Sequence, residues 1–435
     1  MRALAPPSAL AVAGLGLVAC CAALAATPNL VEAAGLFLVV HAVAVACYAA
    51  GVWRVLRRPA AGPGLLAILL VALACRLVLL PVAPTLSTDA YRYVWDARVA
   101  AAGVSPYAHP PSAAELAFLR DDRIYPRLNH PTWRTIYPPG AQALFRTVHA
   151  AAPDSVLAVK VAVGAAELLA LALLAVALRR LGAPPARLLI HAWNPLLIVE
   201  TWGSAHLDGV VLPLVVGAAL AAAVRRPLVV AALLGAGTLV KLYPAALLPA
   251  LLGVAAASAG AWLRAGAVFV AVVAAGYLPF AGLGWDALGS LPRYVAEEDF
   301  NRGIVRSLLG GPPVAVAVIA AAAAIAGVVR LPLERRALWV AAAVAVLGPN
   351  VFPWYLVWVV PFLALAPSAV WIAFTGTVPF AYAFFLDEPW RIPGWARAVV
   401  WSPLLVGAAV AAWRGRRVVP AWIVPPGGRV KEVEP

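Results

Sequence analysis

Charge is what this sequence has least of. Asp, Glu, Lys and Arg make up 12% of it, against 64% apolar residues and a mean hydropathy of +0.91. A soluble domain of 435 residues could not cover that much apolar surface, so lipid must be the solvent for most of the chain. Lysine is nearly missing beside many arginines, alanines and prolines, a bias that reads as codon usage and excludes no function. Cysteine is scarce too. Cys20, Cys21, Cys47 and Cys75 all lie inside apolar runs, none in a loop with metal-ligand spacing, so neither a zinc site nor a disulfide framework is expected. Alternation of polar and apolar residues is also lacking, which excludes a transmembrane β-barrel; continuous runs of roughly 20 residues suit helices. No internal repeat and no separate soluble domain is visible.

What is present is a series of about fourteen such runs, near 8–26, 30–53, 63–84, 155–178, 187–203, 207–224, 227–240, 243–259, 262–281, 312–329, 336–349, 353–367, 369–386 and 396–413. The pair 227–240 and 243–259 is short enough to be a broken or re-entrant element. The net charge of +14 suggests nucleic acid until it is mapped. With the N-terminus in the cytoplasm, the inward turns carry Arg54/Arg57/Arg58, Arg179/Arg180/Arg187, Arg225/Arg226, Arg264, Arg330/Arg335/Arg336 and Arg414/Arg416/Arg417, with Glu334, Glu432 and Glu434 as their acids. Asp89, Asp96, Asp121, Asp122, Asp208, Asp286, Glu297, Glu298 and Asp299 fall on the other side. That is the positive-inside pattern, and no nucleic-acid partner is expected. The first run also has the charged start and ALAAT end of a signal peptide, but cleavage there would disturb the sidedness of the later turns. The expectation is an all-α, polytopic membrane protein with residues 1–413 as one domain, outward loops at 85–154 and 282–311, and a cytoplasmic basic tail at 414–435.

The first outward loop carries most of the usable chemistry. Asp89, Arg92, Tyr93 and Asp96 recur at helical spacing after Ser87 and Thr88, either of which can cap. A short helix lying on the membrane surface is expected there, with Tyr91 and Trp95 as interfacial anchors. Pro138–Pro139 suits the first turn of a second surface helix leading into the fourth span. Asp89 stands at the membrane exit of the third span, where a carboxylate can act as base or ligand or can simply favour a helix N-terminus. Asp96 with Arg92 is a candidate base or an ordinary i,i+4 pair. Arg92 and Arg98 can neutralise a phosphate.

A second cluster, Glu200, His206 and Asp208, occupies a tight outward turn. Its spacing suits a divalent ion only weakly, and structural hydrogen bonding is the plain alternative. Lys241 stands in apolar sequence on the outward side, where it can meet a lipid phosphate or snorkel. Arg76 and Glu167 are embedded and can pair; His41 reads as a satisfied core histidine. The aromatics of FNRGIVRSLLG and NVFPWYLVW are interface anchors or sugar platforms.

In this order, DAYRYVWDARVAAAGVSPY, TIYPPGAQALF, ETWGSAHLDG, KLYP and NVFPWYLVW resemble bacterial integral-membrane glycosyltransferases of the GT-C superfamily. More narrowly they resemble mannosyltransferases that use a polyprenyl-phosphate sugar, the actinobacterial α-mannosyltransferases among them. The likeness covers nearly the whole chain. It implies a GT-C-like fold with interfacial helices in the first large outward loop, and an essential Asp there, which Asp89 matches. Many members place that loop after the first span; here it follows the third. HLDG resembles a family His-Asn-Asp pattern, with Leu207 where Asn is common. The implied activity is an inverting single displacement, carrying a sugar, mannose above all, from the lipid phosphate to a glycan or glycolipid acceptor at the outer face of the bacterial cytoplasmic membrane. On that reading Asp89 and Asp96 are the catalytic candidates. Arg92, Arg98, Lys241 and His206 would hold the donor phosphate, and Tyr93, Tyr137, Glu200, Asp208, Trp354 and Tyr355 the sugar and acceptor. No cofactor is expected, and no closed metal-ligand set appears. A lipid-linked glycan flippase or a membrane glycan ligase are the rival readings; the flippase would want ionisable residues through several spans and a repeated half.

Overall fold

The apolar runs of the sequence fold as helices. The computed structural model describes residues 9–57, 62–298, 300–301, 303, 310–348 and 350–413; Arg58, Asp299, most of the FNRGIVRSLLG stretch and the 414–435 tail lie outside the described residues. Helices α1 (Ala9–Ala25), α2 (Ala34–Arg57) and α3 (Gly62–Leu79) pack together at the start. Lys160 ends the third: its buried ammonium donates to the carbonyls of Leu79 and Val82, satisfying groups that a helix C-terminus leaves open. Helices α4 (Asp89–Ala101), α5 (Pro139–Ala151) and α6 (Val156–Arg180) follow, with Pro138–Pro139 opening α5 as expected and Ser155 capping α6 through the Ala158 amide at 3.1 Å.

Among the described residues, four helical stretches are long and apolar enough to cross a membrane: Ala34–Arg57, Val156–Arg180, Ala259–Glu297 and Gly394–Trp413. The other expected spans are apolar but shorter. Helices α10 (Pro227–Thr238) and α11 (Pro244–Ala255) each hold 12 residues, about 18 Å of rise against a hydrocarbon core of about 30 Å. The run at 187–203 is not one continuous helix. It breaks into α7 (Leu188–Ala192), α8 (Pro195–Ile198) and a π-helical turn, Val199–Gly203. Pro195 cannot donate into the preceding turn, and Asn194 restarts the helix by accepting from the Leu197 amide at 3.2 Å.

Arg76 and Glu167 do pair, fully buried and side by side through the Nε and Nη2 of one guanidinium edge, at 2.8 and 2.7 Å. His191 and the indole of Trp202 complete the carboxylate's contacts at 3.0 and 3.1 Å. A buried charge pair survives only when its remaining lone pairs and protons are met, and here the partners come from α3, α6, α7 and the π-turn. The network therefore holds that turn against α6. His41 meets the Gly376 carbonyl at 3.0 Å, with its Nδ1 left without a partner among the described residues.

The expectation for α4 needs correcting. The helix forms where the spacing placed it, but its aromatic residues do not face outward. Tyr91 and Trp95 are buried in protein rather than anchored in an interface; Trp95 tilts against Tyr125 at 5.5 Å. Helices α5 and α6 and the folded 105–137 segment cover it, because that segment supplies partners for the helix's charged residues.

Candidate functional site

Two of the four carboxylates that matter sit on α4, and their surroundings differ. Asp96 is spent on structure. Its Oδ1 accepts from Arg92 at 2.9 Å, and its Oδ2 accepts from Gln142 at 3.0 Å and from the Thr135 hydroxyl at 2.5 Å. Arg92 spends the rest of its guanidinium on the carbonyls of Trp133, at 2.9 Å, and His130, at 3.5 Å. Arg98 is held the same way by Asp154, Asp121 and the Leu119 carbonyl, at 2.8 to 3.0 Å. Burial alone would raise the Asp121 pKa, but Arg98 and the amides of Ile124 and Tyr125 hold it well below the usual carboxylate range. These two arginines fasten the 105–137 segment onto α4.

Asp89 is different. Ser87 Oγ accepts its backbone amide at 3.3 Å, Asn129 donates to its Oδ1 at 2.6 Å, and its Oδ2 stands 3.9 Å from His206 Nε2. Its side chain keeps 15% exposure, whereas those of Asp96, Glu200 and Asp208 keep 2% or less. Of these four, only Asp89 has an oxygen that an incoming group can reach.

His206 is built from the π-turn outward. The turn brings Glu200 beneath it, and the His206 amide donates to the Glu200 carbonyl at 2.9 Å. Ala205 takes a φ of +59° to swing the chain, a left-handed conformation costing an L-residue about 1–2 kcal/mol. Wide helical turns and such strained residues gather at functional sites. The buried imidazole places Nε2 3.0 Å from Ser87 Oγ and Nδ1 2.9 Å from Glu200 Oε2, the latter close but not aligned as a hydrogen bond. Tyr382 donates to both Glu200 oxygens, at 3.0 and 3.2 Å, and Trp354 stacks on the imidazole at 4.2 Å.

Asp208, at the start of α9 (Asp208–Ala223), turns away from this group. Lys241 donates to its Oδ2 at 3.0 Å, and the Trp358 indole donates to its Oδ1. Lys241 sits in the turn between α10 and α11 with its ammonium 5.4 Å from the Tyr355 ring centroid. Tyr355 and Tyr243 both stack on Trp358. The ammonium thus has an acidic partner, 33 residues away in sequence. Because Asp208 faces Lys241, the Glu200–His206–Asp208 turn does not converge on one point, and among the described residues no three His, Cys, Asp or Glu are grouped as a metal would need. Tyr93 and Tyr137 are buried against Phe145, and the Tyr93 hydroxyl reaches the Leu207 amide at 3.5 Å.

The fold thus gathers Asp89, His206, Glu200, Asp208, Lys241, Trp354 and Tyr355, with Tyr93 behind them, and sets Arg92, Arg98 and Asp96 apart as fasteners. Asn129, Trp358 and Tyr382 belong to the same cluster and carry no signal in the sequence beyond an amide in YPRLNHP and aromatics in apolar runs.

A family model described as the alpha-(1→6)-mannopyranosyltransferase N-terminal domain matches residues 8–285. Asp89, His206, Asp208 and Lys241 lie inside that match, whereas Trp354, Trp358 and Tyr382 lie beyond it. No curated protein and no solved structure matches the chain.

Proposed function

The chain belongs to the alpha-(1→6)-mannopyranosyltransferase family, and from that membership we propose that it moves mannose from a polyprenyl-phosphate donor to a hydroxyl of a glycan or glycolipid, by a single inverting displacement at the outer face of the cytoplasmic membrane. The observation that carries the reading is the pairing of one reachable carboxylate, Asp89, with buried His206 beside it and Lys241 in the adjoining cluster.

The chemistry asks little of the protein. A lipid phosphate is a good leaving group, so no strong acid is needed; a base must take the acceptor proton, and cations must hold the departing charge. The acceptor oxygen attacks the anomeric carbon as Asp89 Oδ2 takes its proton. The carbon–oxygen bond to phosphate breaks on the opposite face, and its electrons leave with the polyprenyl phosphate. Lys241 is the candidate for that phosphate, in the position its ammonium now shares with Asp208, and His206 is the second. Glu200 with Tyr382 orients the imidazole. No cofactor is required by this sequence of events. Arg92 and Arg98 are left out of this phosphate site because each is already bonded through Nε, Nη1 and Nη2 to protein acceptors away from the Asp89 cluster.

Purified protein assayed with a radiolabelled polyprenyl-phosphate mannose tests the reading. Asp89→Asn keeps the size and removes the proton acceptor, so turnover should drop about 100-fold or more, with donor affinity and melting temperature kept. Asp96→Asn should instead lower the melting temperature, since weakening a buried charge network costs about 3–5 kcal/mol. Near wild-type turnover in Asp89→Asn, with a well-folded but dead Asp96→Asn, would move the base to Asp96.

A further inference from the structure

The two oxygens of Asp89 are held differently. Asn129 Nδ2 lies 2.6 Å from Oδ1, whereas Oδ2 stands 3.9 Å from His206 Nε2, beyond hydrogen-bond reach. An ionised carboxylate only accepts, so the Asn129 amide must turn its nitrogen to Asp89. Among the described residues no other side chain hydrogen-bonds to this carboxylate. Ser87 Oγ meets the backbone amide of Asp89 and not its side chain. The terminal torsion of an aspartate is broad and roughly two-fold. Asn129 therefore fixes the plane of the carboxylate, and with it the direction in which Oδ2 points.

The backbone is strained where it delivers that amide. His130, the next residue, takes a φ of +45°, which costs an L-residue about 1–2 kcal/mol and persists only where the surroundings impose it. Here they do. The His130 carbonyl accepts from the Trp133 amide at 2.9 Å and from Arg92, itself bonded to Asp96, at 3.5 Å. Its ring stacks on Trp133 at 4.4 Å, and its Nε2 is 3.4 Å from Glu298. Arg293 lies over the Trp133 ring at 4.7 Å. The 105–137 segment does not need Asn129 to stay on α4, because Arg92 and Arg98 already hold it through Trp133, Leu119 and Asp121. A strained turn on a segment already fastened thus presents one amide to the one reachable carboxylate. We propose that Asn129 is a positioning residue for the transfer step: it holds Asp89 Oδ1 so that Oδ2 faces the acceptor hydroxyl. The assignment rests on the transferase reading.

The test uses the full-length protein with radiolabelled polyprenyl-phosphate mannose, and reads kcat, acceptor KM, donor affinity and melting temperature. Asn129→Ala removes the amide, and Asn129→Leu fills much of its space without a donor. Both should lower kcat about 100-fold, the effect of misplacing a reacting group by about 1 Å. Acceptor KM, donor affinity and melting temperature should stay near wild type. Asp121→Asn loosens the same segment away from Asp89, and should lower the melting temperature with kcat kept. Wild-type kcat in Asn129→Ala and Asn129→Leu would overturn the positioning role while leaving the transferase reading in place. So would a matching loss of kcat in Asp121→Asn, because the segment as a whole would then be responsible. A wild type that transfers nothing from polyprenyl-phosphate mannose would remove the transferase reading, and the positioning role with it.

Discussion

Lys241 and Asp208 form the pair on which the phosphate argument turns. An ammonium already bonded to a carboxylate at 3.0 Å is one exchange away from a phosphate oxygen, because both anions present the same acceptor. Lys241→Met keeps the apolar stem and should weaken phosphate-lipid binding by about 1.5–3 kcal/mol, roughly a ten- to hundredfold change in affinity. It also leaves Asp208 buried with only the Trp358 indole for company, so some loss of stability is expected alongside. Lys241→Met with Asp208→Asn separates the two effects. The double variant should recover the melting temperature while affinity for the charged lipid stays low and uncharged lipid analogues bind as before. Equal weakening for charged and uncharged lipids would assign Lys241 to the fold alone, leaving His206 as the remaining candidate donor to the phosphate.

Helix α4 becomes a scaffold only through what is fastened to it. Arg98 joins Asp121 and Asp154, and Arg92 reaches the Trp133 and His130 carbonyls, so the 105–137 segment is clamped at both ends of the helix. That segment also brings Asn129 to Asp89. Gly289 helps close it: at φ +55°, a Cβ there would meet the Thr135 carbonyl at 2.0 Å, and the Ser290 amide bonds to that same carbonyl. Because the pKa of Asp121 is depressed in the fold, its contribution is fully present above the ordinary carboxylate value of about 3.9 and is lost as pH falls towards the lower folded value. Thermal unfolding should therefore show an acid limb that begins near pH 4. Asp121→Asn should be less stable than wild type at pH 7 and nearly level with it at the lowest pH. A variant that tracks the wild-type pH dependence would assign the acid limb to other carboxylates.

At the scale of the whole molecule, the sorting of arginines and acids predicts which compartment the Asp89 cluster faces. Arg123 is exposed on the same folded segment as Asn129, and the native cysteines are buried or half-buried. Arg123→Cys in intact cells should react with a membrane-impermeant maleimide from outside, and wild type should not. Labelling only after the membrane is opened would place the cluster in the cytoplasm and remove the outward lipid-linked donor with it.

Helix positions and candidate chemistry were legible because both are local. The helical character of the apolar runs, the Asp89–Arg92–Asp96 spacing and the Pro138–Pro139 start each act through neighbours a few residues away, and α4 and α5 begin where the sequence placed them, although runs such as 187–203 break into shorter pieces. The family was legible from ordered motifs for the same reason. What each charged residue does was not. Asp89 and Asp96 share one face of one helix, and only the return of Thr135 and Gln142, 39 and 46 residues on, decides that Asp96 is spent and Asp89 is reachable. Trp358 and Tyr382 meet Asp208 and Glu200 across 150 and 182 residues. Helical periodicity is set by hydrogen bonds between near neighbours; the partner of a buried charge is set by whichever distant segment packs against it, and that is decided only when the chain folds.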